Sequence, residues 1–170
     1  MGPTVAGTSA DPMNSTDDPP PCHTISGMDL IPYPVNDYLL LIGRLAYAVT
    51  YMEGSVLFDL PRHRKRLPSA LTAETLAGET TGTIARIIAD NLSEVSDPAL
   101  STWLTAAAQH LDAAAKVRNP ILQARPATVD GQRLHRWRPG QALSIDTQAL
   151  RRDIADLENR CTALMDLRVP

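Results

Sequence analysis

Residues 35–60 constrain this chain more than any other stretch. Val35, Leu39, Ile42, Ala46, Val49, Val56 and Leu60 fall close to one stripe at helical spacing, and Tyr38, Leu45 and Met52 widen it. The spacing predicts a helix over 35–59, apolar enough to be the central helix of a bundle. Its most apolar run, YLLLIGRLAYAV, is interrupted by Arg44 and is too short to cross a bilayer. Glu53 lies on the same stripe, between Val49 and Val56. A carboxylate there either finds a partner in the interior or reaches water at the rim.

The material around this helix also favours helices. The chain is 44% hydrophobic but only 4% aromatic, so alanine and leucine do most of the filling. After the Pro-bounded loop DLPRHRKRLP, a second helix is expected from Thr72 as N-cap to about Val95, through Leu76, Ile84, Ile87, Ile88 and Leu92. SDP at 96–98 reads as a cap with Pro at the first helical position. The third helix then carries Leu100, Trp103, Leu104, Ala107, Leu111, Ala114 and Ala115. Between 127 and 145 the period changes. VDGQ and RPGQ are turn signals, and RLHRW between them is expected to pair as a small β-ribbon, with Trp137 lying over the bundle. A last helix opens at Asp146 as N-cap, with Ile145 and Leu150 placed for a hydrophobic staple. Leu150, Ile154, Leu157, Cys161 and Leu164 form its packing seam. The expected fold is all-α: a four-helix up-and-down bundle with a small β-ribbon insertion before the last helix.

Residues 1–28 are rich in Pro, Ser, Thr and Asp, and are expected to be a disordered arm, leaving 29–170 as one domain. Met13 and Met28 are alternative first residues. Cys22 falls in this arm and Cys161 in the last helix, a distant pair with no metal-ligand spacing, so reduced thiols and a cytoplasmic protein are expected. No metal or cofactor is expected, because no Cys/His cluster and no Gly-rich phosphate loop is present. The arm carries Asp11, Asp17 and Asp18 without Lys or Arg, so the net charge of −3 belongs to it and the body is neutral. Two basic clusters stand out in that body. One is Arg62, Arg64, Lys65 and Arg66; the other spans 116–138 and includes Arg125, Arg133 and Arg136; all seven are candidate RNA contacts. For the first cluster, a solvated loop is the plainer reading.

The chemistry-bearing candidate is RNPILQ, residues 118–123. Arg118 lies eighteen residues after Leu100, or about five turns at 3.6 residues per turn, so it continues the apolar stripe of its helix. An arginine aimed into packing needs an anionic partner, and Glu53 or a bound phosphate would serve. Asn119-Pro120 is expected to break the helix, Asn119 capping a restart. Arg118, Asn119 and Gln123 would then cluster around the break. The plainer alternative is an arginine snorkelling at the bundle end beside an asparagine that merely caps.

These residues, followed by RPAT and by DGQRLHRW in a ribbon before a final helix, resemble the HEPN superfamily. The signature there is Arg, a polar residue, three variable residues and His. This chain has Arg118 and Asn119 but Gln123 where the family has His. The resemblance covers the layout of most of 35–168, while its specific part is six residues long. It implies metal-independent RNA cleavage at a site composed by two paired bundles, hence a homodimer. In that chemistry a ribose 2′-hydroxyl attacks the adjacent phosphate, arginine stabilises the developing charge, and histidine moves a proton. Glutamine cannot titrate.

Three functions follow as expectations. The first is a HEPN-like RNA-binding protein associated with defence or toxin–antitoxin systems, with a cognate partner protein and a degenerate ribonuclease site. The second is an active endoribonuclease using Arg118 with another proton carrier, for which His135 is the candidate if the ribbon folds back; otherwise His135 is an exposed strand residue. The third is a helical dimerisation or scaffold protein.

Overall fold

The computed structural model describes residues 31–127, 131–138 and 141–170, without the side chains of 138 and 142. The expected arm over 1–28, with Cys22, lies outside the described residues, as do Asp130 and the Pro139-Gly140 pair. Residues Tyr33–Pro170 form one compact unit. Its elements are α1 (Asn36–Asp59), a 3-10 helix (Leu60–Arg66), α2 (Ala73–Leu76), α3 (Thr81–Asn91), a 3-10 turn (Leu92–Glu94), α4 (Pro98–Leu122), β1 (Arg125–Pro126), β2 (Leu134–Arg138), β3 (Gln141–Ser144) and α5 (Thr147–Asp166). The chain is thus mostly helical, with a small antiparallel sheet before the last helix. No described helix is long and apolar enough to cross a membrane.

The caps explain most boundaries. Asp97 accepts from the amides of Ala99 and Leu100, and Pro98 stands at the first helical position, so α4 begins where its sequence says. Asp146 accepts from the amide of Ala149 and opens α5. Thr72 caps as expected, accepting from Thr75, but the helix it opens is only four residues long. The expected second helix is therefore two. Gly78 falls in the connection after α2, and Thr80 then caps a fresh start by accepting from Thr83. The segment expected as a loop at RHRKR is the 3-10 continuation of α1.

The direction of the helices departs from simple alternation. Tyr38 donates to the carbonyl of Ile145, Arg44 pairs with Glu158, and Asp59 pairs with Arg168. Contacts advance in the same direction along both segments, so α1 and α5 run parallel. An up-and-down four-helix bundle would set its first and last helices antiparallel. Here the short α2 segment provides a return leg, so α3 runs with α1, and α4 runs against both. Gly82 of α3 comes so close to α4 that a Cβ there would meet the Cβ of Ala115 at 3.5 Å. His63, just past α1, lies against Trp103 near the start of α4, with ring centroids 6.1 Å apart.

The core sits between these helices. Its α1 contribution is Tyr38, Leu41, Leu45, Val49, Met52, Val56 and the following Leu60. This is the expected stripe with its phase corrected, since Val35 and Leu39 are exposed. Trp103, Leu104, Ala107 and Leu111 answer from α4, and Leu150, Ile154, Leu157 and Leu164 from α5.

The sheet order is β1-β2-β3, all antiparallel, with Arg125 opposite His135 and His135 opposite Ser144. Gly131 takes a φ of 76° and Gln132 one of 66° in the β1–β2 connection, a left-handed pair that glycine makes easier. Tyr38 fastens this sheet to the helices. Its hydroxyl donates to Ile145 at 2.8 Å and accepts from the amide of Leu134 at 3.2 Å.

Candidate functional site

Arg118 is half-buried near the end of α4 and points towards the start of α3. One guanidinium nitrogen, Nη1, donates to the hydroxyl of Thr81 at 2.9 Å. That hydroxyl in turn donates to Oε2 of Glu53 at 2.5 Å. Thr81 is fully buried, and both charged side chains are half-buried. The arrangement is a relay from α4 through α3 to α1: arginine, hydroxyl, carboxylate. Glu53 and Arg118 make no direct ion pair. The cation is therefore only indirectly compensated, and its buried Nε has no hydrogen-bond partner. The long approach of Nη2 to Asn119 Oδ1, at 3.5 Å, adds little.

The helix does not break at Asn119-Pro120. α4 continues through Pro120 to Leu122, and the amide of Gln123 still bonds the carbonyl of Asn119 at 3.0 Å. Proline removes one bond, to the turn before it, but too little helix follows for the chain to leave its course. Asn119 is thus an exposed residue within the last turns rather than a cap. Gln123 is the exposed residue that ends the helix. Its side chain makes no hydrogen bond to Arg118.

His135 is not an exposed strand residue but is buried, with 8% of its surface accessible. Its Nε2 is enclosed without a hydrogen-bond partner, so the ring makes no bond to Arg118 through that atom. Trp137 does not cover the bundle; it is 75% exposed on β2. His110 lies two turns before Arg118 on α4 and is near Arg160 instead, with burial first and that guanidinium second lowering its pKa. Among the described residues, no histidine is hydrogen-bonded to Arg118.

The two basic clusters are separated. Tyr38, where the sheet docks, and Arg62 are 24 positions apart along α1 and its continuation, about 36 Å at 1.5 Å per residue. In the first cluster Arg62 pairs with Asp59 at 3.1 Å and stacks over Phe58 at 5.0 Å, while Arg66 pairs with Asp97 at 2.6 Å. Arg64 and Lys65 are exposed and make no ion pair among the described residues. In the second cluster Arg125 is exposed, and Arg133 and Arg136 are half-buried.

Two polar groupings had no sequence signal pointing to them. Thr81 is one. The other is Asp59, a buried carboxylate approached by Arg62 and, at 2.6 Å, by Arg168 from beyond α5. Both approaches are charge contacts rather than aligned hydrogen bonds. Beside Asp59, His63 contacts Arg66 through Nδ1 at 2.7 Å, and burial, followed by the Arg66 charge, holds its pKa below the usual value. This grouping ties the end of α1 to the ends of the chain's other long helices, a structural task.

Searches against protein-family models, curated proteins and solved structures find no match to this chain.

Proposed function

We propose that this chain is a HEPN-like helical domain that binds RNA through Arg118 and lacks the proton carrier needed to cut it. In this reading α1, α3, α4 and α5 are the four helices of the family's bundle, with α2 an interruption of the second. The observation that carries it is the state of the Arg118 guanidinium: aimed by Thr81, balanced only at second hand by Glu53, with Nε unpartnered. Such a group keeps attraction for a phosphate that a directly ion-paired arginine would have spent. Gln123 supports the loss of cleavage, because an amide hydrogen-bonds but does not titrate. The loss of general acid–base catalysis alone costs about 10²–10⁴-fold. A defence or toxin–antitoxin setting, with RNA and a cognate protein as partners, is what the resemblance implies for such a domain.

The test is single-stranded RNA binding by fluorescence anisotropy across a salt series, with cleavage followed in EDTA. The unmodified chain is expected to bind without cutting. Arg118→Ala should weaken binding and reduce the log–log salt slope by about 0.7, one phosphate on a single strand. Gln123→His is the variant in which cleavage is looked for. Cutting by the unmodified chain would replace this reading with that of an active ribonuclease. Absence of any RNA affinity would favour the scaffold reading, which the exposed apolar face of α1 supports independently.

A further inference from the structure

The buried stripe of α1 is matched by a second apolar stripe on the opposite side. Leu40, Tyr47, Tyr51 and Phe58 recur at spacings of seven, four and seven, which keeps them on one face. They are 63%, 72%, 51% and 67% exposed. Tyr47 and Tyr51 stack on each other with ring centroids 6.3 Å apart. Gly43 and Gly54 lie along the same face, and a Cβ added at either would meet nothing within 4 Å. A groove of about 1020 Å³ flanks the stripe, between α1 and Glu158, Cys161 and Thr162 of α5. A helix apolar on both sides is a helix meant to be covered on both.

We propose that this outer face of α1 is the interface with a second copy of the chain, the two α1 helices lying antiparallel about a twofold axis beside Val49. Three observations select that occupant. The stripe reads nearly the same in both directions from Val49: large, glycine, large, then large, glycine, large. Antiparallel pairing sets Leu40 beside Phe58 of the second copy, Tyr47 beside its Tyr51, and Gly43 close to its Gly54. A twofold interface requires that reciprocity. The area also fits. With aromatic side chains offering 150–250 Å² each, the four residues and Leu39 present on the order of 500 Å² of apolar surface. A standard interface takes about 800 Å² per partner, about 65% of it apolar in homodimers. Charge chooses the direction. Asp37 stands at one end of the stripe and Arg62, stacked over Phe58 and paired with Asp59 of its own chain, at the other. Antiparallel helices bring these together, whereas parallel ones would oppose like charges and like helix ends. The face is on the other side of α1 from Glu53, so the inference stands apart from the RNA reading and its test uses no RNA.

The experiment is sedimentation velocity of the full chain at micromolar concentration, with the Tyr47→Glu/Tyr51→Glu double variant beside it. Both positions are exposed, so circular dichroism and the melting midpoint should stay unchanged. The unmodified chain is expected at twice 18.4 kDa. The double variant should be monomeric, its dissociation constant raised at least about 100-fold by the loss of two central aromatics. Direction is read by disulfide trapping in a Cys22→Ser/Cys161→Ser background, where a Leu40→Cys chain mixed with a Phe58→Cys chain should form the mixed pair and neither like pair. A monomeric unmodified chain overturns the proposal, and so does a dimer that the double variant leaves intact. Like-with-like trapping overturns the antiparallel arrangement. Dimerisation that occurs only after removal of residues 1–30 would assign the face to that segment instead.

Discussion

Replacing Thr81 by valine removes one hydroxyl and almost no volume, and it tests the relay at its centre. The hydroxyl accepts from Arg118 at 2.9 Å and donates to Glu53 at 2.5 Å, and the residue is fully buried. Hydrogen bonds to charged groups contribute about 1.5–3 kcal/mol each. Both charged partners are half-buried, so water can replace part of what is lost, and the lower end applies. The expected cost is about 3 kcal/mol for the two bonds together, which lowers the melting midpoint by about 9 °C for a domain of this size. Urea unfolding followed by circular dichroism measures it, in a cycle with Glu53→Gln and Arg118→Met. Coupling between those two positions should be about 1 kcal/mol with threonine present and should fall below about 0.3 kcal/mol in the Thr81→Val background. A Thr81→Val chain within about 0.5 kcal/mol of the original would refute the reasoning. Coupling that persists unchanged would show that Glu53 and Arg118 communicate directly.

Other expectations concern the ends of the bundle. Pro120→Ala should stabilise the chain by about 1 kcal/mol in chemical denaturation, since it restores a bond in a helix that already continues past 120; a helix restarting at that point would gain nothing. Trp103→Ala should cost about 3–5 kcal/mol and Trp137→Ala less than about 0.5 kcal/mol, because only the first ring is in the core. The pKa values of His63 and His110 are both held below the ordinary 6.5, chiefly by burial. The folded state therefore favours their neutral forms, and their contribution is fully present above pH 6.5 and is lost as pH falls through the lowered values. Melting midpoints from pH 7.5 down to 5 should decline, and His63→Gln should flatten part of that decline.

Short-range signals in the sequence carried through to the fold, while long-range ones carried only in part. Asp97-Pro98 and Asp146 open their helices because a cap needs only the next three residues. The same reasoning found Thr72 but not the second start at Thr80, although Thr-x-x-Thr recurs at 72–75 and 80–83 on either side of Gly78. Propensity and apolar spacing run smoothly across that point, so only the caps reveal it. The stripe of α1 was misphased for a different reason: with apolar residues on both faces, periodicity has no single direction to report. At the site, the eighteen-residue interval from Leu100 correctly aims Arg118 into the packing. Thr81 was not legible, because a threonine in the first turn of a helix is ordinary until three elements converge on it. Pro120 misled because its effect depends on how much helix follows, and here only two residues do.

The parallel course of α1 and α5 changes what the densest basic run in the chain means. The C-terminal end of a helix carries roughly half a negative charge on its free carbonyls, and parallel axes place two such ends together. Arg62, Arg64, Lys65 and Arg66 follow directly on the last turn of α1, and Arg168 follows α5. These cations are counter-charges to the fold, and Asp59 and Asp97 take up three of them again as ion pairs. A polyanion arriving at that end meets Arg64 and Lys65, not the whole run. Added salt, by screening helix ends from their cations, would loosen this pole of the molecule before it displaced anything bound there.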